Sequence, residues 1–139
     1  MKCLVVEDDD FGREMVTCML SEHAEIVDTA RDGAEGLQMF IRAHHEGHPY
    51  QLICLDIMMP IMDGQEALRR MRHFEKETGI PVSRAAVIIM TTALDSLEDI
   101  QNAIWQGECN DYMVKPISQA DLVALLNKYK LVAPSEISA

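Results

Sequence analysis

Basic residues are scarce in this sequence, and their scarcity excludes two classes of partner. Only 12 of the 139 residues are Lys or Arg, whereas 23 are Asp or Glu, which gives a formal net charge of -11 at pH 7. Binding to nucleic acid or to an anionic membrane surface requires a basic footprint. We therefore expect no direct nucleic-acid contact and no membrane contact by this domain. The excess of acidic side chains instead favours a site that holds cations.

Long apolar runs and metal-type cysteine spacings are also missing. No apolar run approaches the roughly 20 residues that a membrane-spanning helix needs. Residues 1–6 lack the long apolar region and the cleavage site of a signal peptide. The cysteines form no CxxC pair or other metal-ligand spacing, and their mostly apolar neighbours predict buried, reduced thiols in a cytoplasmic protein. They are Cys3, Cys18, Cys54 and Cys109.

The apolar residues, 48% of the chain, fall into short runs that alternate with amphipathic stretches. We predict five strands, at residues 4–6, 26–27, 52–55, 86–90 and 112–114, alternating with five helices. The helices carry capping signals at Asp32, Asp63, Ser96 and Ser118. This alternation predicts βαβ units and a parallel sheet covered on both faces. We assign residues 1–131 to one domain and residues 132–139 to a C-terminal tail or the start of a linker.

The run at residues 52–55 ends on an acidic residue, Asp56. The run has no polar face, which is typical of a strand buried on both sides of a parallel sheet. Pro60 and Gly64 then force a loop before the next helix. A carboxylate at the end of a buried strand is costly unless it is paired, protonated or bound to a metal. Asp56 is therefore the first candidate for a functional role.

Five polar side chains are expected to gather at the carboxyl ends of the strands, where folds of this class bind ligands. They are Glu7 and Asp8 after the first strand, Asp56 after the third, Thr92 after the fourth and Lys115 after the fifth. Three close carboxylates repel one another, and a hard divalent cation relieves that repulsion. Mg2+ suits the site best because it takes few protein carboxylates and keeps water and phosphate oxygens as its other ligands. A lysine and a hydroxyl opposite the metal suit a phosphoryl group.

Four segments in this order and spacing resemble the receiver domain of two-component response regulators. The segments are VEDD at residues 6–9, LDIMMPIMDG at 55–64, TA at 92–93 and KP at 115–116. The resemblance covers residues 2–130. It implies a flavodoxin-like, doubly wound sheet of five parallel strands in the order 2-1-3-4-5 with five helices, as in the chemotaxis member of that family.

The resemblance implies roles at the acidic cluster. Asp56 would be the phosphoacceptor, a carboxylate nucleophile that takes a phosphoryl group from a histidine kinase or a phosphotransfer protein. Asp8, Asp56 and the backbone carbonyl of Met58 would bind Mg2+ directly, and Glu7 would act through a bound water. The domain would assist its own phosphorylation and dephosphorylation without being an enzyme in the usual sense.

The resemblance also implies a switch. Lys115 would pair with the phosphate, Thr92 would hydrogen-bond a phosphate oxygen in the activated domain, and Tyr112 would change rotamer in step. The output surface would be the face made by the fourth predicted helix, the fifth strand and the fifth helix. That face would contact a downstream protein target, and it could also support a homodimer.

The sequence departs from the family pattern at two places. Glu7 stands where aspartate is commoner, and its longer side chain is expected to moderate metal affinity without abolishing function. Glu108 stands at the usual glycine position before the last strand, with Gly107 one residue early. Because a helix C-terminus prefers glycine for its left-handed conformation, this loop is expected to be distorted or capped differently.

Clustered histidines raise a separate metal-site hypothesis. His44, His45 and His48 precede Pro49 in a polar stretch that closes the second predicted helix. Such a cluster is more typical of a solvated loop, and we expect no metal there.

Three other functions remain to be weighed. The chain could be the receiver portion of a longer regulator with a DNA-binding or enzymatic output domain. A phosphatase of the dehalogenase type also uses an aspartate nucleophile and Mg2+, but it requires a second aspartate two residues later, where this chain has Met58. Receiver-shaped modules that signal without phosphorylation usually lose an acidic residue, the acceptor or the lysine, and this chain keeps all of them.

Overall fold

The computed structural model describes residues 1–93, 98, 101–102, 104 and 108–131. Five parallel strands form one sheet in the order β2-β1-β3-β4-β5, which confirms the flavodoxin-like order. The strands are β1 (Lys2–Val6), β2 (Ile26–Ala30), β3 (Leu52–Asp56), β4 (Val87–Thr92) and β5 (Asp111–Val114).

Four helices have defined bounds in the described part of the chain. They are α1 (Asp10–Ser21), α2 (Gly33–His45), α3 (Gly64–Glu77) and α4 (Gln119–Lys128), with a 3-10 turn at Val82–Arg84. The fourth of the five predicted helices falls largely outside the described residues, as does its expected cap Ser96, so α4 corresponds to the fifth prediction. None of the described helices combines the length and apolarity that a membrane crossing requires.

The sheet divides the core into two layers because successive strand residues point to opposite faces. In β1, Leu4 and Val6 pack on the side of α2 and α3, while Cys3 and Val5 pack on the side of α1 and α4. Every residue of β3 is buried, as its unbroken apolar run predicts. Full burial of one such aliphatic side chain contributes about 1.5–3 kcal/mol.

The expectation of buried thiols is confirmed for three of the four cysteines and is wrong for Cys18. All four are free, and Cys3, Cys54 and Cys109 are buried whereas Cys18 is exposed. Burial raises the pKa of the Cys3 thiol to about 12 and that of the Cys109 thiol to about 11. These buried thiols are therefore protonated and unreactive at neutral pH.

Side-chain caps fix where the helices begin. The predicted caps Asp32, Asp63 and Ser118 each accept a hydrogen bond from a backbone N–H three residues later. Asp9 caps α1 in the same way, since its Oδ2 accepts from the Gly12 N–H at 2.7 Å. Losing such a cap costs about 1 kcal/mol. The caps of α1 and α3 also hold the loops that follow β1 and β3.

The loop before β5 is held by an arginine, which answers the question raised by Glu108. The Nε of Arg72 donates to the Glu108 carbonyl at 2.6 Å, and the Nη2 of Arg72 donates to Asn110 Oδ1 at 2.9 Å. Gly107 lies outside the described residues. The carbonyl at position 108 therefore receives its donor from α3.

The expectation of a solvated histidine loop is wrong for His44. His44 and His45 are the last two residues of α2, and the His44 ring packs 4.9 Å from the Phe40 ring and 5.3 Å from the Phe74 ring. The buried Nε2 of His44 has no hydrogen-bond partner among the described residues. The aromatic residues of α2 and α3 attract this side chain away from water.

This packing predicts a pH-dependent stability. Burial lowers the pKa of His44, with Glu75 acting in the opposite direction and His45 in the same one. The folded protein therefore disfavours the charged ring, and stability is lost as pH falls below the ordinary value of about 6.5 towards the folded pKa. We expect His44→Phe to lose less stability than the native chain between about pH 7.5 and pH 5.5, measured by urea unfolding. His73→Gln, at an exposed histidine of α3, is the control, and an equal effect of both substitutions would contradict the prediction.

Candidate functional site

Two neighbouring strands bring three carboxylates together. Val6 pairs with Leu55 in the β1–β3 register, so the residues that follow β1 lie beside Asp56, the last residue of β3. One oxygen from each of Glu7, Asp8 and Asp56 lies within 4.8 Å of the other two. Glu7 and Asp56 are each only 5% exposed, whereas Asp8 is exposed. The acidic residues predicted to meet at this edge do meet.

A lysine faces these carboxylates from the end of β5. The Nζ of Lys115 lies 2.7 Å from Glu7 Oε1 and 3.2 Å from Asp56 Oδ1. Its backbone N–H donates to the Thr92 carbonyl at 2.7 Å, and its bond to Pro116 is cis. One ammonium therefore opposes three carboxylates, and the negative charge that remains would be stabilised by a further cation.

The crowding shifts the ionisation of the site. Burial and the adjoining Glu7 carboxylate together raise the pKa of Asp56 to about 7, although Lys115 acts in the opposite direction. Burial also acts to raise the pKa of Glu7, but hydrogen bonds with Asp56 and Lys115 outweigh it and hold that pKa below its usual range. Burial, followed by Glu7, raises the pKa of Asp8. Without a cation, the two buried carboxylates retain a proton between them close to neutral pH.

The loop after Asp56 is held close to the strand by a glycine. The Gly64 N–H donates to the Ile57 carbonyl at 2.8 Å, and a Cβ at position 64 would lie 2.1 Å from the Asp56 carbonyl oxygen. No side chain fits there, so glycine is required for α3 to begin at this point. The loop in between presents Met58, whose side chain is 71% exposed.

Six of the seven residues predicted for the site line one cavity of about 200 Å³. They are Glu7, Asp8, Asp56, Met58, Thr92 and Lys115. Thr92 ends β4, is 1% exposed, and donates from Oγ1 to the Ala93 carbonyl at 2.8 Å. The neighbouring Thr91 pairs with Asp56 in the sheet. Of these two threonines, Thr92 is the one on the cavity wall.

Tyr112 is the seventh residue, and it lies outside the set that lines the cavity. It is partly buried in β5 opposite Met90 and packs against the core layer on the side of α2 and α3. The structure therefore places Tyr112 on β5, three residues before Lys115, which follows the end of that strand.

Two residues that shape the site were missed from the sequence. The Nη1 of Arg13 donates to the Glu7 carbonyl at 3.0 Å, and the Arg13 side chain is only 14% exposed. Gly12 faces the Glu7 carboxylate from α1. The signal for Arg13 was its place on the first turn of a helix that follows the acidic run, where a basic side chain can fold back over the loop.

The donor set suits a hard divalent cation. Three carboxylates of which two are buried, with a single lysine to balance them, form a site where an oxygen-preferring ion relieves repulsion. Mg2+ prefers such oxygen ligands and keeps part of its hydration shell.

Comparison with known proteins agrees with this geometry. The family model described as response regulator receiver domain matches residues 3–127. The transcriptional regulatory protein HprR of Escherichia coli is 36% identical over 89% of this chain and 49% of its own length, so the chain spans about half of that relative.

Two solved structures share the fold across nearly the whole chain. The receiver domain of Saccharomyces cerevisiae Ssk1, crystallised with the histidine phosphotransfer protein Ypd1, has a TM-score of 0.73 and 30% identity, covering 94% of this chain and 86% of its own. The CheX-CheY-BeF3-Mg complex of Borrelia burgdorferi has a TM-score of 0.76 and 27% identity, covering 93% and 89%. With its fold, its acidic edge and these relatives taken together, the chain belongs to the response regulator receiver domain family.

Proposed function

We propose that this receiver domain accepts a phosphoryl group on Asp56 in the presence of Mg2+ and that phosphorylation changes a protein-binding surface. The observation that carries the proposal is the meeting of three carboxylates within 4.8 Å, with Lys115 Nζ 3.2 Å from Asp56. The exposed cavity above Asp56 leaves room for a phosphoryl donor.

In this proposal some residues bind the metal directly and one binds it through water. Asp8, Asp56 and the carbonyl of Met58 would hold Mg2+ directly, and Glu7 would act through a bound water. The bound ion would supply positive charge against the phosphoryl oxygens. Magnesium is named with the Borrelia burgdorferi complex, which supports the same ion here.

Asp56 is the nucleophile in this proposal. Its carboxylate oxygen forms a bond to phosphorus while the bond from phosphorus to the donor's nitrogen or oxygen breaks, and the donor leaves with that electron pair. Lys115 holds the carboxylate in place and offsets the charge that accumulates. The product is a mixed acyl phosphate, a labile group that suits a timed signal.

The signal would leave through the β5 side of the sheet. Thr92 would turn its hydroxyl from the Ala93 carbonyl to a phosphate oxygen, and Tyr112 would change rotamer in step. The face formed by the fourth predicted helix, β5 and α4 would then bind a downstream protein or a second copy of the domain. This step is a local electrostatic change that biases a bistable loop pair.

The proposed phosphodonor is a histidine kinase or a histidine phosphotransfer protein. The complex of Ssk1 with Ypd1 supports that kind of partner. We place the domain in the cytoplasm, which keeps thiols reduced, because its four cysteines are free.

We also propose where the receiver domain ends. We assign residues 1–131 to the receiver and residues 132–139, which lie outside the described residues, to a tail or linker. The second candidate is a receiver that forms part of a longer regulator with a DNA-binding or enzymatic output. The length of HprR, about twice the matched segment, favours that candidate.

Acetyl phosphate tests the proposal without a known kinase. We expect the native chain to gain one phosphoryl group when acetyl phosphate and Mg2+ are supplied together, and Asp56→Ala to gain none. Intact-mass spectrometry measures the adduct. Asp121→Ala, which removes an exposed carboxylate of α4, is the matched control and should be phosphorylated normally. A native chain that binds Mg2+ but shows no adduct would overturn the proposal.

A further inference from the structure

We propose that Gly12 is a positioning residue for the metal site, because its missing side chain leaves the space that the Glu7 carboxylate occupies. The inference rests on the proposed function, in which Glu7 belongs to the Mg2+ site. It gives a role to Gly12 of α1, a residue that takes no part in the proposed phosphoryl transfer.

The space at position 12 is measurable. A Cβ built on Gly12 would lie 3.3 Å from Glu7 Oε1 and 3.6 Å from Glu7 Cδ, and it would also lie 3.2 Å from Asp9 Oδ2. Gly12, Glu7 and Lys115 line the same cavity of about 170 Å³ between α1 and the end of β5. A methyl group at this position would press on two carboxylates, of which one belongs to the acidic cluster.

Glu7 has little freedom to move away from such a methyl group. Its Oε1 binds Lys115 Nζ at 2.7 Å, and its Oε2 accepts the Asp9 N–H at 3.2 Å. Only 5% of the residue is exposed. A methyl group at position 12 would therefore displace the Glu7 carboxylate relative to Asp56 and Lys115.

Backbone conformation does not explain a glycine at this position. Gly12 lies in the first turn of α1, and the glycines with left-handed φ in the described chain are Gly47 and Gly79. Its N–H is already capped by Asp9. Helix propensity also favours alanine over glycine, so the observed feature that glycine preserves at this position is the space beside Glu7.

The length of Glu7 explains the need for that space. An aspartate at this position would be one methylene shorter, and its carboxylate would end closer to β1. The longer side chain of Glu7 carries the carboxylate outward, towards Lys115 and the first turn of α1. Glu7 and Gly12 are thus a matched pair, in which the small residue accommodates the long one.

A double-mutant cycle tests this pairing. We expect Gly12→Ala to weaken Mg2+ binding by about threefold to tenfold in the native background but by less than about twofold in the Glu7→Asp background. Isothermal titration calorimetry with MgCl2 measures the affinity. Urea unfolding in EDTA measures the free energy of unfolding. If Gly12 had only a structural role, Gly12→Ala would change this free energy equally in both backgrounds. The second contact of a Cβ at position 12 is with Asp9 Oδ2, which neither substitution removes, so a difference in Mg2+ affinity between the backgrounds reports on Glu7.

The possible results separate the inference from the proposed function. An equal loss of Mg2+ affinity in both backgrounds, or no loss in either, would overturn the pairing and leave the proposed function intact. Failure of the native chain to bind Mg2+ would overturn both. If Gly12→Ala alone does not fold, folding of the same substitution in the Glu7→Asp background supports the pairing, and failure to fold in both backgrounds overturns it.

Discussion

Replacing Asp56 by asparagine is expected to raise the free energy of unfolding of the metal-free protein by about 1–3 kcal/mol at about pH 8. Asp56 is 5% exposed, and its carboxylate lies within 4.8 Å of those of Glu7 and Asp8. The amide keeps the shape of the side chain but removes one buried negative charge. Lys115 keeps its shorter contact, at 2.7 Å, to Glu7. Asp56, which the proposed function requires, is thus predicted to lower the stability of the metal-free protein.

The gain depends on pH in a direction set by the pKa of Asp56. Folding raises that pKa from its ordinary value of 3.8 to about 7, so the folded state disfavours a carboxylate that the unfolded chain tolerates. The penalty is fully present above about pH 7, shrinks as pH falls, and vanishes below about pH 3.8 where both states are protonated. Its ceiling is about 4 kcal/mol. The lowered pKa of Glu7 and the raised pKa of Lys115 offset part of it.

Urea unfolding in EDTA and in Mg2+ measures both halves of this prediction. Mg2+ is expected to stabilise the native chain and to have little effect on Asp56→Asn, because ligand binding stabilises only the state that binds. Glu77→Gln, at a side chain that is 69% exposed, removes the same charge and should change stability by less than about 0.5 kcal/mol. An Asp56→Asn variant that is less stable than the native chain in EDTA would refute the repulsion on which the metal site depends.

The fold was predictable from the sequence because its strongest signals, apolar runs and helix caps, depend on residues that are close together in the chain. The apolar run of β3 contains no polar face, and every residue of that strand is buried. The caps Asp32, Asp63 and Ser118 accept the bonds their spacing indicates. The strand order came from the family resemblance, since periodicity shows which residues are buried but gives no order to parallel neighbours.

The site was predictable as a set of residues but not as a set of contacts. Residues that follow parallel strands meet at one edge, which was enough to bring Glu7, Asp56 and Lys115 together. The preference of Lys115 for Glu7 over Asp56 depends on side-chain length and on the space left at Gly12. Such distances are set by packing between elements that are far apart in sequence, and no local pattern contains them.

The Arg72–Glu75 pair shows the same limit in the core. Glu75 follows Met71 by four residues and therefore lies on the buried stripe of α3, where it is only 3% exposed. A charged residue at an apolar position was the one signal of a buried contact. Its partners, including Ala86, belong to other segments and could not be named from helical periodicity.

Removing either member of this pair is expected to lower the free energy of unfolding by about 3–5 kcal/mol. Glu75 Oε1 accepts from Arg72 Nη1 at 2.7 Å, and Glu75 Oε2 accepts from the Ala86 N–H at 2.8 Å. Glu75→Ala leaves a largely buried guanidinium and an unpaired N–H, whereas Arg72→Ala leaves a buried carboxylate. Urea unfolding measures both. Arg70→Ala, at a guanidinium that is 57% exposed, should cost less than about 1 kcal/mol.

The double variant distinguishes a coupled network from two separate contacts. Arg72 also donates to the carbonyls of Ala86 and Glu108 and to the side chain of Asn110, so it joins α3 to the starts of β4 and β5. Arg72→Ala should therefore cost more than Glu75→Ala. Removing both should cost less than the sum by at least about 1 kcal/mol, because the second deletion removes a charge that the first left unpaired. Additive losses would show that neither charge depends on the other, and the loop before β5 would then need another explanation for its position.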